Sequence, residues 1–338
     1  MTGKRKGLRI LGTVACILLT VLVLLRVLAL HRSRPEEIRR FETSNPYISD
    51  VPLILAHRIG AGEMPEESRM ALERLLLEED GPDMIEFDLH MTGDGIPVLL
   101  HDDDLDRTSD APRVFGRKKS RPEEHTYEEL RGLNMGAEFV DSEGRKPFAG
   151  LQGDEVPDGL RMLSLDQALE LLEANGKKRC LVEIKNRTDA GCRCVDILAG
   201  MIRERGLEEK AMVASFSRDI MAYAAKNHPE LTLAASTPEG VEFVWACLTG
   251  RKEFSPPYRA LALPFDLSGF VNLGQAQIIN YAHEHNLAVF YWTVNDEKDL
   301  AYLMSIGADG VITDYPERAY RVRSRILSEK EGTIWKEN

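Results

Sequence analysis

The sequence predicts an α/β chain of the (β/α)₈ TIM-barrel class, with a hairpin and lid insertion and with one transmembrane helix before the barrel. Short apolar runs recur along the chain and alternate with segments of helical periodicity. The runs are continuously apolar, as is typical of parallel strands that are covered on both faces. One Gly-Asp-Gly turn interrupts the alternation. Together these observations predict a closed parallel sheet with one local departure near its mouth.

The alternating pattern covers most of the 338 residues, which are enough for one large domain of about 250 residues. The predicted strands lie at 51–56, 84–88, 180–184, 211–216, 231–235, 260–264, 288–294 and 310–313. The predicted helices lie at 67–79, 164–175, 190–205, 217–227, 274–286 and 296–306. Ser164 and Gln167 form a capping-box pattern at the start of the second helix. Eight strands that alternate with helices indicate a barrel.

A turn at 91–95 departs from this pattern. It joins the strand that holds Glu86 and Asp88 to a second apolar run that ends at His101. Parallel neighbours need a connection of a dozen or more residues, so this turn predicts an antiparallel hairpin. We expect the hairpin to fold back over the barrel mouth and to return the histidine toward the two carboxylates. The charged stretch from about 108 to 159 then predicts an insertion that forms a partial lid.

The first thirty residues differ from the rest of the chain. Four Lys and Arg residues precede an apolar run at 10–30. About twenty residues at 1.5 Å each span the roughly 30 Å hydrocarbon core of a bilayer. A cleaved signal peptide shares the basic start and apolar middle, but this run is long and no clear small-x-small cleavage site follows it. We therefore expect an uncleaved anchor and a single-pass membrane protein.

Basic residues nearly balance on the two sides of the anchor, because four Arg residues follow it. A single early span usually leaves a short basic tail inside and a large domain outside, so we expect an extracytoplasmic catalytic domain. The predicted layout is a basic tail at 1–9, an anchor at 10–30, a stalk at 31–50, a barrel domain at 51–322 and a charged tail at 323–338.

Charge and cysteine content exclude other classes of protein. The net charge of −12 argues against nucleic-acid binding, which needs a basic surface. The five cysteines are few and irregularly spaced, so they predict no disulfide scaffold. We expect no nucleic-acid partner.

Charged side chains stand where three predicted strands end, which is the face where barrels of this kind carry their reactive groups. These residues are His57 and Arg58 after the first strand, Glu86 and Asp88 in the second, and Glu183 and Lys185 in the third.

The two acidic residues of the second strand predict a bound cation. Glu86 and Asp88 are two positions apart, so both point into the barrel interior, where unpaired carboxylates are costly to bury. A metal ion or a partner cation would compensate them. Singly, His57 has a simpler explanation as a core histidine, and Lys185 with Glu183 as an ion pair. Those explanations do not account for three carboxylates, two histidines and two cations predicted at one place.

Several sequence blocks occur in order from about 52 to 320. They are His57-Arg58, Pro65-Glu66-Glu67-Ser68, 83–88 with 92–95, 98–102 with 105–108, 181–185, 291–295 and 310–316. In order and spacing these blocks resemble the glycerophosphodiester phosphodiesterase family, including its His-Arg-Gly, Pro-Glu-Asn-Thr and Leu-Glu-Ile-Lys motifs. Any one block alone would be weak evidence for the resemblance, whereas the whole set is specific for this family.

The sequence departs from the family pattern in three places. Ile59 stands where the family usually has Gly, although Gly60 follows. Glu67-Ser68 replaces Asn-Thr, and the stretch at 109–112 replaces a Thr- and Gly-rich continuation. We expect Ile59 to reshape the first loop, which affects substrate preference rather than the chemical groups.

The resemblance implies hydrolysis of glycerophosphodiesters to glycerol 3-phosphate and an alcohol, on a barrel with a divalent metal ion. A phosphodiester is anionic, so the site has to offset its charge. Glu86, Asp88 and Glu183 are predicted to hold one Mg²⁺ or Ca²⁺, because hard cations prefer oxygen ligands. Arg58 and Lys185 are predicted to bind phosphate oxygens.

Four further residues complete the predicted site. His57 and His101 are expected to be the acid–base pair, with their order left open. Glu66 is predicted to bind glycerol or to assist the metal site, the alternative being a carboxylate stabilised at a helix N-terminus. Trp292 is predicted to line the substrate pocket, with core packing as the alternative.

Two other functions fit the same residues. A lysophospholipase D or related lipid phosphodiesterase would use the same scaffold near a membrane. A catalytically silent barrel would be a membrane-tethered binding module, although the complete set of histidines and carboxylates argues against it. The expected partners are a glycerophosphodiester or lysophospholipid substrate and a membrane, contacted through the N-terminal helix.

Overall fold

The structure is a computed structural model of the chain. It describes residues 20, 32–78, 81–176, 178–266 and 271–337. Side chains are described as far as residue 329. None of the helices in these ranges combines the length and the apolar character needed to cross a bilayer. The predicted tail at 1–9 lies outside the described residues, and so does the predicted anchor at 10–30 except for Thr20.

Parallel strands form a nearly closed barrel. The strands are β1 Leu53–Ala56, β2 Met84–Met91, β3 Pro97–Leu99, β4 Arg179–Ile184, β5 Ala211–Ala214, β6 Thr232–Leu233, β7 Ala260–Pro264, β8 Ala288–Trp292 and β9 Gly310–Thr313. Their hydrogen-bonded order is β6-β5-β4-β2-β1-β9-β8-β7. A bridge between Ala234 and Ala260 lies at the seam between β6 and β7. All the predicted strands are present, and the barrel prediction is confirmed.

Helices surround the barrel. They are α1 Arg69–Leu77, α2 Ala111–Val114, α3 Tyr127–Arg131, α4 Leu165–Ala174, α5 Asp189–Arg205, α6 Arg218–Asn227, α7 Thr237–Thr249, α8 Ala276–Glu284, α9 Glu297–Ser305 and α10 Pro316–Glu337. The predicted capping box opens α4, where the hydroxyl of Ser164 accepts from the amide of Gln167 and the Gln167 side chain accepts from the Ser164 amide. The six predicted helices are present with ends shifted by up to two residues.

Two long helices were not predicted. Helix α7 exposes Val241, Trp245 and Leu248 to solvent, and these apolar residues obscure the helical periodicity of the segment. Helix α10 continues through the region predicted as a charged tail at 323–338. Arg323 of α10 is buried and donates to the carbonyl of Pro52 over 3.0 Å, so this part of the chain packs against the start of β1.

Strand β2 continues into a hairpin, as predicted. Strand β3 pairs antiparallel to β2, with Leu89 opposite Leu99 and His90 opposite Val98. The insertion predicted at about 108–159 packs a small core together with strand β3 and the residues that flank it. That core consists of Val98, Leu100, Leu105, Ala111, Leu130, Leu133, Met135 and Met162. A folded unit therefore stands beside the barrel mouth.

Alternate residues of each strand face the barrel interior or the helices. Leu55, Met84 and Phe290 belong to the interior cluster, whereas Ile54 and Ile85 pack between the strands and the helices. On the interior face of β2, Met84 at the amino end is followed by charged residues toward the carboxyl end. The interior of the barrel is thus apolar at its base and charged at its mouth.

The segment predicted as a stalk lies against the barrel; we call residues 32–50 the N-terminal strap. Its contacts begin with Ser33, whose amide donates to the Tyr302 hydroxyl over 2.8 Å. They end at the amino face, where Asn45 donates to the carbonyl of Arg259 over 2.7 Å and Tyr47, 2% exposed, joins the interior cluster. The strap therefore descends the side of the barrel and closes its base.

Candidate active site

The loop after β1 holds the first two predicted site residues in an uncommon backbone conformation. Arg58 and Ile59 have φ angles of 47° and 64°, and Gly60 follows at 82°. The left-handed region crowds the Cβ of an L-residue, above all a β-branched one. Ile59 thus occupies a conformation that Gly would adopt without strain. The amide of Arg58 donates to Glu86 Oε2 over 2.7 Å, which joins this loop to β2.

Three carboxylates meet at the mouth of the barrel. Ligand atoms of Glu86, Asp88 and Glu183 all lie within 4.8 Å of one another. Asp88 and Glu183 are register partners on the neighbouring parallel strands β2 and β4, and Glu86 lies two residues earlier on the same face of β2. The register of β2 and β4 therefore brings the three predicted metal ligands together.

Two cationic side chains adjoin this cluster. Lys185 Nζ lies 2.8 Å from Asp88 Oδ1 and 2.7 Å from Glu183 Oε1. Burial would lower the pKa of Lys185, but the two carboxylates outweigh burial and raise it, so the side chain is an ammonium. Arg58 NH1 lies 3.6 Å from Glu66 Oε1, and the buried Arg58 Nε has no hydrogen-bond partner within the described ranges. Lys185 is paired, and Arg58 keeps an unused donor.

A divalent cation fits the carboxylate cluster. Asp88 Oδ2 is buried and accepts no hydrogen bond from any described residue, although Arg58 Nε lies 4.0 Å away. A buried carboxylate oxygen without a hydrogen bond is costly unless a cation binds it directly. Burial and the charge of Asp88 raise the pKa of Glu86 to about 8. Burial, and the charge of the same aspartate, also raise the pKa of Glu183. An all-oxygen donor set with surplus negative charge suits Mg²⁺ or Ca²⁺.

Glu67 adds a fourth carboxyl group that was not predicted as a site residue. It is 5% exposed, and its Oε1 accepts from the amide of Asp88 over 3.0 Å. Its Oε2 is buried without a hydrogen-bond partner in the described part of the chain. Burial, then the charges of Asp88 and Glu86, raise the pKa of Glu67 well above its usual value. The departure from the Asn of the family motif was the signal that could have identified it.

The two predicted histidines face each other across the mouth. Their ring centroids are 6.5 Å apart. His57 Nδ1 lies 2.6 Å from Asp314 Oδ1, and His101 Nδ1 lies 2.7 Å from Asp102 Oδ1. A carboxylate at Nδ1 orients each ring and leaves Nε2 for chemistry.

The environment of His57 favours its protonated form. Burial would lower the pKa of this histidine, but the hydrogen bond that His57 Nδ1 donates to Asp314 and the charge of Glu86 outweigh burial and raise it. Asn295 Nδ2 donates to the second oxygen of Asp314 over 2.6 Å and so fixes that carboxylate. Asp314 and Asn295 both lie in recognised sequence blocks, but the sequence does not show that they contact His57.

Aromatic side chains line the mouth beside Lys185. Trp292 stacks on Phe216 with ring centroids 5.8 Å apart, and Trp292 Nε1 donates to the carbonyl of Ala262 over 3.0 Å. Lys185 Nζ lies 5.2 Å from the centre of the Phe216 ring. Phe216, which was not predicted as a site residue, is 44% exposed. An apolar wall therefore stands next to the charged cluster.

Glu66 lies at the rim of the site, paired with Arg107. Arg107 NH1 and NH2 each donate to one oxygen of Glu66 over 2.7 Å, and Arg107 Nε donates to Asp102 Oδ2 over 2.6 Å. The hydrogen bonds with His101 and Arg107 hold the pKa of Asp102 well below its usual range. Glu66 thus connects through Arg107 to the carboxylate that orients His101.

Comparison with known proteins identifies relatives of the whole barrel. The sequence profile of the Glycerophosphoryl diester phosphodiesterase family matches residues 57–318. A Glycerophosphodiester phosphodiesterase of Bacillus altitudinis is 24% identical over 275 residues, which are 81% of this chain and 98% of the relative. Lysophospholipase D GDPD3 of Homo sapiens is 26% identical over 282 residues, which are 77% of this chain and 81% of the relative.

A solved structure shares the fold. It is a phosphodiesterase of Oleispira antarctica in complex with the product sn-glycerol-3-phosphate, with a TM-score of 0.61 and 21% identity over 83% of this chain and 98% of that chain. At this identity the likeness concerns the fold alone.

Proposed function

Because this chain belongs to the glycerophosphoryl diester phosphodiesterase family and is a phosphodiesterase, we propose that it hydrolyses glycerophosphodiesters to glycerol 3-phosphate and an alcohol. The observation that supports this proposal most strongly is the pair of facing histidines, 6.5 Å apart, beside a cluster of three carboxylates. A phosphodiester placed between the histidines would meet an acid and a base on opposite sides of phosphorus.

Two cationic side chains would bind the phosphate. Arg58 Nε lies 4.0 Å from Asp88 Oδ2 and is a buried donor with no hydrogen-bond partner among the residues described, so a phosphate oxygen would satisfy it. Lys185 would add a point charge from the other side of the cluster. Glu86, Asp88 and Glu183 would hold one divalent cation, which when bound acts as a Lewis acid and offsets charge on the phosphate.

The histidines would move the protons. His57, whose raised pKa favours the imidazolium, would donate a proton from Nε2 to the leaving alcohol. His101 would accept a proton at Nε2 from the attacking hydroxyl. One P–O bond forms, the P–O bond to the alcohol breaks, and one water molecule is consumed overall. By family resemblance, the attacking group is first a hydroxyl of the glycerol, which gives a cyclic phosphate that water then opens.

The test is a panel of glycerophosphodiesters assayed with His57→Ala and His101→Ala chains. Each substitution should lower kcat by about 10²- to 10⁴-fold, the usual contribution of a general acid or base. The thermal midpoint should stay close to that of the wild type, because neither ring lies in the apolar core. A large loss of thermal stability would instead support a structural role for the histidine.

Chelation tests the metal proposal separately. Activity should disappear in EDTA and return with Mg²⁺ or Ca²⁺. Full activity after exhaustive chelation would contradict the assignment of Glu86, Asp88 and Glu183 as ligands. A catalytically silent barrel would show no turnover under either condition.

A lysophospholipase D activity is the second candidate, and the aromatic wall favours it. Phe216 and Trp292 present apolar surface beside Lys185, where a substrate that carries an acyl chain would contact it. Assays of lysophosphatidylcholine against glycerophosphocholine separate the two activities. A Phe216→Ala chain should lose activity on the lysophospholipid and retain it on the soluble diester.

A further inference from the structure

Arg107 joins two carboxylates that come from different loops at the barrel mouth. Its NH1 and NH2 each donate to one oxygen of Glu66 over 2.7 Å. On its other edge, Nε donates to Asp102 Oδ2 over 2.6 Å and NH2 donates to Asp102 Oδ1 over 3.0 Å. All three nitrogens of the guanidinium are therefore engaged, and both oxygens of each carboxylate accept a hydrogen bond from it.

These contacts control the orientation of His101. Asp102 Oδ1 lies 2.7 Å from His101 Nδ1, and a carboxylate at this nitrogen selects the tautomer whose Nε2 is unprotonated. The Asp102 side chain is 29% exposed, and among the described residues only Arg107 and His101 form hydrogen bonds with it. The plane of the Asp102 carboxylate, and with it the setting of the imidazole, therefore depends on Arg107.

The folded insertion holds the backbone on either side of Arg107. Leu105 is fully buried in the small core beside β3, and its amide donates to the carbonyl of Ser120 over 3.0 Å. Ser109 is also buried, and its hydroxyl donates to the carbonyl of Leu105 over 2.6 Å. The guanidinium is thus attached to a well-packed base, as a side chain that orients other groups requires.

Stability does not explain this arrangement. The side chain of Arg107 is 45% exposed, so water and salt screen its ion pairs. Ion pairs with this exposure add little to the free energy of unfolding. Their effect on geometry is larger, because a planar guanidinium bonds each carboxylate through two nitrogens and so fixes its direction.

We propose that Arg107 is a positioning residue: by fixing Asp102, it holds His101 in the tautomer whose Nε2 can accept a proton. Glu66 in turn holds the guanidinium in place. The insertion thereby acts on the chemistry at the mouth through one side chain that it supports. The consequence for catalysis rests on the proposed function, whereas the orientation of the ring does not.

Arg107→Gln tests this role by steady-state kinetics. A glutamine cannot bond both oxygens of Asp102, so kcat for glycerophosphocholine should fall about 10- to 100-fold, as when other orienting partners are removed. KM should change less than about twofold, and Arg107→Lys should restore little activity, because an ammonium lacks the planar fork. Arg145→Gln is the matched control: it removes an arginine that bridges two carboxylates elsewhere in the insertion, and it should change neither constant. A loss in KM alone, or an equal loss with Arg145→Gln, would overturn the proposal.

Double variants show whether Arg107 acts through Asp102. Asp102→Asn should itself lower kcat, and Arg107→Gln added to it should lower kcat less than about twofold further, because the carboxylate that Arg107 orients is already absent. Added to Asn295→Ala, which disturbs the orientation of His57 instead, Arg107→Gln should keep its full effect. Equal effects of Arg107→Gln in the two backgrounds would contradict the proposed route.

The tautomer of His101 provides a test that needs no substrate. The full chain is labelled with ¹⁵N at histidine, and two-bond ¹H–¹⁵N correlations are recorded at pH 9, where an ordinary imidazole is neutral. A His101→Gln chain assigns the signal. In the wild type and in Arg145→Gln, Nδ1 should carry the proton, whereas in Arg107→Gln the nitrogen shifts should move toward the average of the two tautomers.

A proton on Nε2 in the wild type, or an unchanged spectrum in Arg107→Gln, would overturn the proposal. If the wild type cleaves no glycerophosphodiester, the proposed function fails, and the spectra still decide whether Arg107 orients His101.

Discussion

Buried aspartates at the two ends of the barrel differ in the hydrogen bonds that they accept. At the base, Asp309 is 0% exposed and receives hydrogen bonds from the amide of Val289 over 2.7 Å and from His283 Nε2 over 2.9 Å. At the mouth, Asp88 is 1% exposed, but its Oδ2 accepts no hydrogen bond from the residues that the structure describes. The two aspartates are similarly buried, but only Asp309 has its hydrogen bonds supplied by the protein. An unsatisfied buried carboxylate such as Asp88 is the arrangement expected where the proposed cation would bind.

The largest expected effects come from replacing the buried aspartate at each end of the barrel with asparagine. Asp88→Asn should lower kcat/KM by more than the 10- to 100-fold that outer-shell partners of a metal contribute, because it removes a ligand. Asp309→Asn should leave kcat unchanged and destabilise the fold by about 1.5 to 3 kcal/mol, the range for hydrogen bonds to charged groups. Steady-state kinetics and thermal unfolding of both chains check this contrast. It fails if the Asp309 variant loses turnover while its stability is unchanged.

The next largest effect is a loss of stability when the contact by which the N-terminal strap closes the base of the barrel is removed. Tyr47 is 2% exposed and packs at a ring-centroid distance of 6.4 Å from Phe290 inside the barrel. Tyr47→Ala should cost about 3 to 5 kcal/mol, as for other large-to-small substitutions of buried aromatic residues. The kcat of the folded fraction should not change, because the mouth lies at the opposite end. Denaturant unfolding measures the loss, and Tyr47→Phe is the control that keeps the ring. A Tyr47→Ala chain of wild-type stability would show that the strap does not close the core.

At the mouth, a substitution of Glu67 tests whether this fourth carboxyl group strengthens the binding of a cation. Glu67→Gln keeps an oxygen that accepts from the Asp88 amide and removes the carboxyl group that would ionise when a cation binds beside it. We expect cation affinity, measured by calorimetry, to fall by about 10- to 100-fold. Glu73→Gln, on the outer surface of α1, is the control for a general change in charge. Unchanged affinity in the Glu67→Gln chain would limit this residue to holding the β2 backbone.

The smallest effect concerns Glu63, which lies in the loop after His57 and has no assigned chemical role. Burial raises its pKa from 4.5 to about 7. A raised folded-state pKa for an acid contributes stability that is present below about pH 4.5 and is lost as the pH rises through 7. Glu63→Gln removes that loss, so its thermal midpoint should exceed that of the wild type by a few degrees at pH 8 and match it at pH 4. A difference independent of pH would contradict this reasoning, and activity should be unchanged at both values.

Sequence patterns predicted those parts of the molecule that depend on local periodicity and register. The strands follow from apolar runs, and Glu86, Asp88 and Glu183 follow from the residues that end them. His101 was placed correctly because the turn at 91–95 is too short for anything but a hairpin.

Contacts between distant residues could not be predicted in the same way. The strap looked like a polar stalk because its stabilising bonds, such as that of Asn45 to the carbonyl of Arg259, involve partners more than two hundred residues away. Phe216 was missed for a related reason, because only the packing of the mouth places this residue beside the cluster. Glu67 differs, because its departure from the Asn of the family motif marked it in the sequence, but only the fold shows that it contacts the Asp88 amide.

The seam of the barrel has a consequence for hydrogen exchange. Strand β6 has only two residues, and the amide of Ala235 bonds to the carbonyl of Ala260 over 2.9 Å while the amide of Arg259 bonds to the carbonyl of Leu233 over 2.8 Å. Opening this seam breaks far fewer bonds than separating β2 from β4, where six residues pair in register. The amides of Ala235 and Arg259 should therefore exchange with deuterium through local opening, long before those of β2 and β4.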